Sequence, residues 1–595
     1  MLSPTEIRIL ALLPPRPLCT EQAIIEVESY IVPISNPIDF EALSYVWGDV
    51  HGPASIMMDG KRINITKNLE AALQRIRLPD KKRKLWVDQL CINQDDDREK
   101  SIQIPLMRQI YTKANQCLIW LGEIRSDITI SDAKSAIEIM QFIADFDHDR
   151  PTSSIPEGLS SEDRMLASMR ALNTICVGEN PWWHRVWTVQ EVALSRNSHL
   201  LWGPLSISWN TIVRAFPAVQ GAALPFNDLL RLHLDVLNKL FTQVNGLELT
   251  RNNAEWCFDA YFRWSFRRAT NPLDKVYGLL GLFPSGTFPR VQCCNYQLRP
   301  SDLYAMFTID LIEQGSSLHP IALRSLLGLP ESTPGLPTWA YDIGVSAPQS
   351  QLRIDGDDYA WFLMEIYESY NACGGRGIDW TIFHFDESCN TLKLTGLMLD
   401  EIVLIGTRLQ TNWPDAQDVP CSKMIERIKE WFQVAERHYK SQEWPESLAG
   451  PKLWPNSFWR GLVGNLIFHK DLDPVREVTS LDIEMVKAFV ESGIENPSCY
   501  GVFATMCHRS MFITASGRLG FGPNHLNVGD EVWILDGGNV PFVLRKIVGS
   551  EVSSNGRLHV GPSYVDGIMN GEAVTDAATS DGRNTNSAIM NRPKF

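Results

Sequence analysis

The sequence predicts an α/β protein: an open parallel sheet comes first, a mainly helical region follows, and a small β-rich, barrel-like region lies towards the C-terminus. Three observations carry this expectation. Up to about residue 215, short apolar runs alternate with helical periodicity, the pattern of a layered α/β domain. From residue 216 to 390 the pattern is mainly helical, with no internal repeat. From Thr391 the chain turns to β-prone stretches such as Glu531-Val532-Trp533-Ile534-Leu535, with glycine every few residues near the end. The expected domains are therefore 1–215, 216–390 and 391–572, with a polar, unstructured tail over 573–595.

The elements of the first domain follow in order. Ala42-Leu43-Ser44-Tyr45-Val46-Trp47 reads as a strand ending at Gly48-Asp49. Leu85 to Ile92 is apolar enough for a second strand buried on both faces, and the polar run Asn93 to Asp97 breaks it. Ile102, Leu106, Ile110, Tyr111 and Ala114 then fall on one helical stripe, with Asp95, Asp96, Asp97 and Glu99 in the first turn, where negative charge favours a helix start. Pro105 interrupts this stripe and predicts a kink or a restart. Cys117-Leu118-Ile119-Trp120-Leu121 closes a βαβ unit; a helix from Trp182 to Ser195 leads into a further strand at His199–Trp202, and Asp149 to Asp163 reads as an inserted loop. In such a sheet, ligands sit beyond the carboxyl ends of the strands.

Composition excludes several classes. The 595 residues are 44% hydrophobic and 21% charged, so most of the chain packs into cores. A net charge of −15 argues against a nucleic-acid partner, which requires a concentrated basic face. The basic run Lys81-Lys82-Arg83-Lys84 reads as a solvated turn entering a strand. No apolar stretch reaches the roughly 20 residues of a membrane span, no secretory leader is evident, and the cysteines lack a disulfide framework; a cytoplasmic protein with reduced thiols is expected. The sequon Asn64-Ile65-Thr66 is then without consequence. There is no phosphate-binding loop, H-E-x-x-H, paired C-x-x-C or G-x-S-x-G elbow. Gly517, Gly520 and Gly522 stand in a strand-and-turn context and do not form a dinucleotide cradle, and no metal site is expected.

Trp187 and Glu191 stand out. Their spacing puts an indole and a carboxylate on one helical face. A carboxylate beside an aromatic wall has its charged form disfavoured and its pKa raised, as a catalytic group requires. Equally, the indole can fill the core while Glu191 pairs with a nearby arginine; both readings stand at this point.

The residues themselves resemble the heterokaryon incompatibility (HET) domain of filamentous fungi. Three blocks match in order: Phe40 to Asp49, Leu85 to Gln94 running on to Gly122, and Pro181 to Glu191. Further blocks at Asn271–Leu280, Gly517–Pro523 and Tyr564–Glu572 look like those of long members, while Pro105 departs from an aliphatic residue expected there. The resemblance implies a role in non-self recognition, in which fusion of incompatible hyphae triggers growth arrest and cell death. It implies a fold similar to TIR domains, a flavodoxin-like sandwich. Some TIR domains cleave NAD with a Glu four residues after a Trp, which makes Glu191 and Trp187 catalytic candidates. Trp47, Asp49, Asp88 and Asn93 would then line the ligand site at the strand ends. No cofactor is required, and NAD would enter as substrate. An effector of this kind implies self-association, with an incompatible allelic or non-allelic fungal protein as partner. The resemblance equally accommodates a non-enzymatic recognition protein, or a scaffold recruited to another fungal pathway.

Overall fold

A computed structural model describes residues 2–16, 24–36, 38–49, 54–145, 161–176, 178–220, 234–252, 256–324, 333–345, 367–388, 390–408, 421–445, 450–469, 472–494, 509–547, 556–579 and 586–590. The chain divides into two compact units, Met1–Gln297 and Leu298–Phe595.

The first unit is built on a nine-stranded mixed sheet. Its strands are β1 (Glu6–Leu12), β2 (Glu26–Pro33), β3 (Glu41–Tyr45), β4 (Ala54–Met58), β5 (Lys61–Ile65), β6 (Arg83–Trp86), β7 (Cys117–Trp120), β8 (Ser198–Trp202) and β9 (Leu205–Ser208), in the order β5-β4-β2-β1-β6-β3-β7-β8-β9. The expected parallel sheet is present in its central four strands, β6-β3-β7-β8, with Ala42 opposite both Trp86 and Cys117, and Trp120 opposite Leu201. All four residues of β7 are buried, as a strand covered on both faces requires. The flanks differ from expectation, because β1 pairs antiparallel with both β2 and β6, and β9 pairs antiparallel with β8. These additions make the sheet mixed.

Local chemistry explains the helices. Thr66 caps α1 (Lys67–Ile76), its hydroxyl accepting from Leu69 N, and Leu69, Ala72, Leu73 and Ile76 form the buried face. The strand expected over Leu85–Ile92 stops at Trp86. Asp88–Cys91 forms a short helical turn, α2, in which Leu90 and Cys91 turn inward and the Asp88 carboxylate accepts from Gln89 N. Asp96 caps α3 (Asp97–Gln103), accepting from Arg98 N and Glu99 N, so the acidic run is a helix start. Pro105 sits in a 3₁₀ turn, Ile104–Leu106, after which α4 (Met107–Lys113) restarts. Two longer helices follow, α5 (Ile130–Ala144) and α6 (Glu162–Asn173), capped by Thr129 and Ser161. Most of the loop expected at Asp149–Asp163 lies outside the described residues, and its last two residues already belong to α6. The helix expected from Trp182 to Ser195 is broken. Pro181–His184 is a 3₁₀ turn, Arg185 is extended, and α7 runs from Trp187 to Ala193. Helices at Trp209–Gln220, Leu234–Arg251, Cys257–Arg263 and Asp274–Leu280 complete this unit, so the helical region begun at 216 is shared between the two units.

The second unit begins with helices Pro300–Gly315 and His319–Arg324. Its β strands are β10 (His384–Asp386), β11 (Thr391–Ile405), β12 (Leu466–His469), β13 (Leu472–Glu477), β14 (Arg509–Thr514), β15 (Leu519–Pro523), β16 (Glu531–Leu535), β17 (Phe542–Lys546), β18 (Gly556–Pro562), β19 (Tyr564–Val565) and β20 (Asn586–Met590). The long β11 pairs with both β16 and β20. The ladder β11-β16-β17-β18-β20-β11 therefore returns on itself as a small closed barrel. Helices at Cys421–Ser441, Gly450–Gly461 and Ser480–Ser492 accompany it. Gly517 takes φ +75° in the hairpin between β14 and β15, the turn role expected of it. The tail over 573–595 departs from expectation. Glu572–Thr579 is helical, and β20 closes the barrel with Ala588 and Met590 fully buried. Small size and alternating polarity disguise this strand as a polar tail.

Candidate functional site

Strand order reverses about β3: the chain passes from β3 to β6 on one side, then crosses to β7 on the other. The carboxyl ends of β3 and β7 are therefore the place where a sheet of this kind presents ligand-binding groups. Ser44 and Tyr45 end β3, and Trp47 follows in the loop beyond.

Glu191 reaches this end from α7. It is 3% exposed. The Ser44 hydroxyl donates to Glu191 Oε2, and Trp182 Nε1 donates to Ser44 Oγ at 2.8 Å. A serine has one proton to give, and with Trp182 filling a lone pair that proton is directed at the carboxylate. Burial pushes the Glu191 carboxyl up to about 7, opposed by the Arg185 charge and the Ser44 hydrogen bond and reinforced by Asp88. Arg185 donates to the Tyr45 carbonyl, which places its charge among these groups.

Asp88, at the start of α2, accepts from Trp47 Nε1 at 2.8 Å and from its neighbour Gln89 N at 2.7 Å, and the Tyr45 hydroxyl donates to Gln89 Oε1 at 3.0 Å. Burial raises the Asp88 carboxyl, and Arg185 again opposes the shift. One turn before Glu191 on α7, Trp187 Nε1 donates to Asp274 Oδ2 at 3.2 Å, and the Tyr296 hydroxyl donates to Asp274 Oδ1 at 2.7 Å. Burial also raises Asp274, with Arg185 and Lys100 among the charges that counter it. Arg185 is thus the common counter-charge of Glu191, Asp88 and Asp274.

Three of the six sequence-derived candidates come together here. Glu191, Asp88 and Trp47 meet around Tyr45 and Arg185, and Trp187, one turn before Glu191 on the same short helix, is bonded to Asp274 instead. Asp49 and Asn93 are exposed, and Asn93 serves the turn before α3: its side chain accepts from Asp95 N, and its own N–H donates to Glu99. Sequence reasoning missed Ser44, Trp182 and Asp274 as partners. Ser44 leaves a signal, a lone hydroxyl inside an apolar strand. Asp274 stands inside the block Asn271–Leu280, but nothing in the sequence ties it to Trp187, 87 positions away. As placed, Glu191 is closed to a ligand; the group can hold one proton near neutral pH and pin α7 to β3. Among the described residues no cluster of His, Cys, Asp or Glu suits a metal ion, and no helix is long and apolar enough to cross a membrane. The described cysteines from Cys91 to Cys373 are not joined in disulfides.

Comparison with known proteins gives two family matches. Residues 40–191 match the model described as Heterokaryon incompatibility protein (HET), and residues 477–582 match the Het-6 beta-barrel domain. Over 652 residues the chain is 24% identical to "Heterokaryon incompatibility protein 6, OR allele" of Neurospora crassa, covering 93% of this chain and 92% of that protein. No solved structure matches.

Proposed function

We propose that the chain, whose residues 40–191 match the HET model and 477–582 the Het-6 barrel model, is a heterokaryon incompatibility protein that acts in fungal non-self recognition, arresting or killing cells formed by fusion of incompatible hyphae. The observation that carries this reading is the extent of the likeness: it runs through both the HET segment and the barrel segment, over nearly the whole of both proteins. The four parallel strands, in the order β6-β3-β7-β8, support a flavodoxin-like core of the TIR kind for the first unit. The partner is an allelic or non-allelic fungal protein, and the cytoplasm is the compartment where fused cells would bring the two together.

Within this role Glu191 acts as a buried strut. Its burial and its bond from Ser44 support recognition and signalling without substrate turnover. A second reading, NAD cleavage by Glu191, draws on the raised carboxyl and on the convergence of Asp88 and Trp47; it requires α7 to uncover the carboxylate. Fusion of two strains differing only at this locus tests the main reading. Collapse of the fused compartments is expected, and vigorous heterokaryons would overturn it. Nicotinamide release by the full chain, with Glu191→Ala as control, tests the second.

A further inference from the structure

The helix that carries Glu191 is held largely from outside the HET segment 40–191. Val186 N donates to the Arg268 carbonyl at 3.0 Å, and Arg268 N donates to the His184 carbonyl at 2.5 Å, so the two segments pair as a short parallel bridge. One residue on, Trp187 donates to Asp274. Arg267 Nη1 donates to Thr188 Oγ1 at 3.2 Å, and further along Arg108 Nη1 donates to the Gly281 carbonyl at 2.6 Å. Gly278 lies so close that an added Cβ would stand 2.9 Å from Val186 Cγ1. Residues 265–281 therefore contact almost every position from His184 to Thr188.

Two features set this contact apart from ordinary core. Arg267 is fully buried, its Nε has no partner, and its remaining support is Gln243 Oε1 at 3.1 Å and the faces of Trp264 and Phe266. No carboxylate pairs with it among the described residues, and burial alone lowers it to about 9. A buried cation without counter-charge opposes the closed state. Second, α7 spans seven residues, too few to hold its own shape without tertiary support.

We propose that residues 265–281 form a releasable clasp that sets the position of α7, and hence of Glu191, with Asp274 as the holding residue and Arg267 as a charge that favours release. The clasp adds control over α7 to the incompatibility role, and rests on that role only in giving the movement a purpose. Opening would hydrate Arg267, free Trp187 from Asp274 and loosen the strand-end cluster around Arg185.

Hydrogen exchange on the full chain tests this without reference to incompatibility. Asp274→Ala is expected to speed exchange over 184–194 by about tenfold, the scale of one lost charged hydrogen bond, while β3 and β7 stay within about twofold. Asp274→Asn keeps an acceptor for Trp187 and is expected to restore protection. Arg267→Met removes the uncompensated charge and keeps the apolar stem, so it is expected to slow exchange over 184–194. Unchanged exchange there in Asp274→Ala, an equal rise across β3 and β7, or faster exchange in Arg267→Met would overturn the clasp. Healthy heterokaryons from the unaltered chain would instead remove the incompatibility role and leave these exchange results standing.

Discussion

Replacing Glu191 by Gln isolates the cost of burying its charge. The amide retains an oxygen to accept from Ser44, so the geometry at β3 is kept while ionisation is abolished. The carboxyl titrates at about 7 in the folded chain, against an ordinary 4.5. An acid whose pKa rises on folding holds its proton more tightly in the folded state. Its contribution is therefore intact below pH 4.5 and is lost as pH rises through about 7. The gap corresponds to about 3 kcal/mol between pH 4 and pH 8. Histidines with lowered pKa, such as His319 at about 3, contribute in the opposite direction, but they are common to both proteins and cancel in the difference. Because the two units need not unfold together, the assay is denaturant-dependent hydrogen exchange of β3 and β7 amides, which reports opening of the first unit. The Gln variant should gain about 3 kcal/mol on the unaltered chain as pH goes from 4 to 8. Parallel pH profiles would refute a buried, proton-holding Glu191.

Other perturbations follow from the same contacts. Ser44→Ala leaves the Trp182 N–H without its acceptor and Glu191 without its donor; a loss of about 2–4 kcal/mol from the first unit is expected by chemical denaturation. Gly278→Ala and Gly281→Ala should differ. The first drives a methyl against the stiff Val186 side chain and should cost about 1–3 kcal/mol. The second meets the movable end of Gln190 and should cost less than about 1 kcal/mol, by the same measurement. Deleting residues 586–595 removes β20 and opens the barrel ladder. Broadened unfolding of the second unit, with rapid exchange along Leu392–Gly396, is the expected outcome.

The parallel core was legible because strands buried on both faces leave uninterrupted apolar runs, as at Cys117–Trp120. Such runs do not mark their own ends. Val87 to Ile92 is apolar enough to continue β6, yet Asp88 and Gln89 turn the chain into α2. The antiparallel flanks were hidden for another reason: β1 owes its place to pairing with β2 and β6, and the bonds that fix it are far away in sequence. The acidic helix start and the interruption at Pro105 were readable, since capping and ring geometry act locally, though not which aspartate caps nor the 3₁₀ turn that precedes the restart. At the site, the spacing of Trp187 and Glu191 was visible, but their surroundings were not. Within α7 the two side chains take different partners, Glu191 taking Ser44 and Trp187 taking Asp274, and both partners come from distant segments.

We propose that incompatibility depends on the shape held by Glu191 and not on turnover by its carboxylate. The most direct measurement is the fraction of viable heterokaryons formed when the full chain carrying Glu191→Gln meets an incompatible strain. A fraction as low as with the unaltered chain is expected. Full viability, with the variant chain folded and present at the same level, would contradict it.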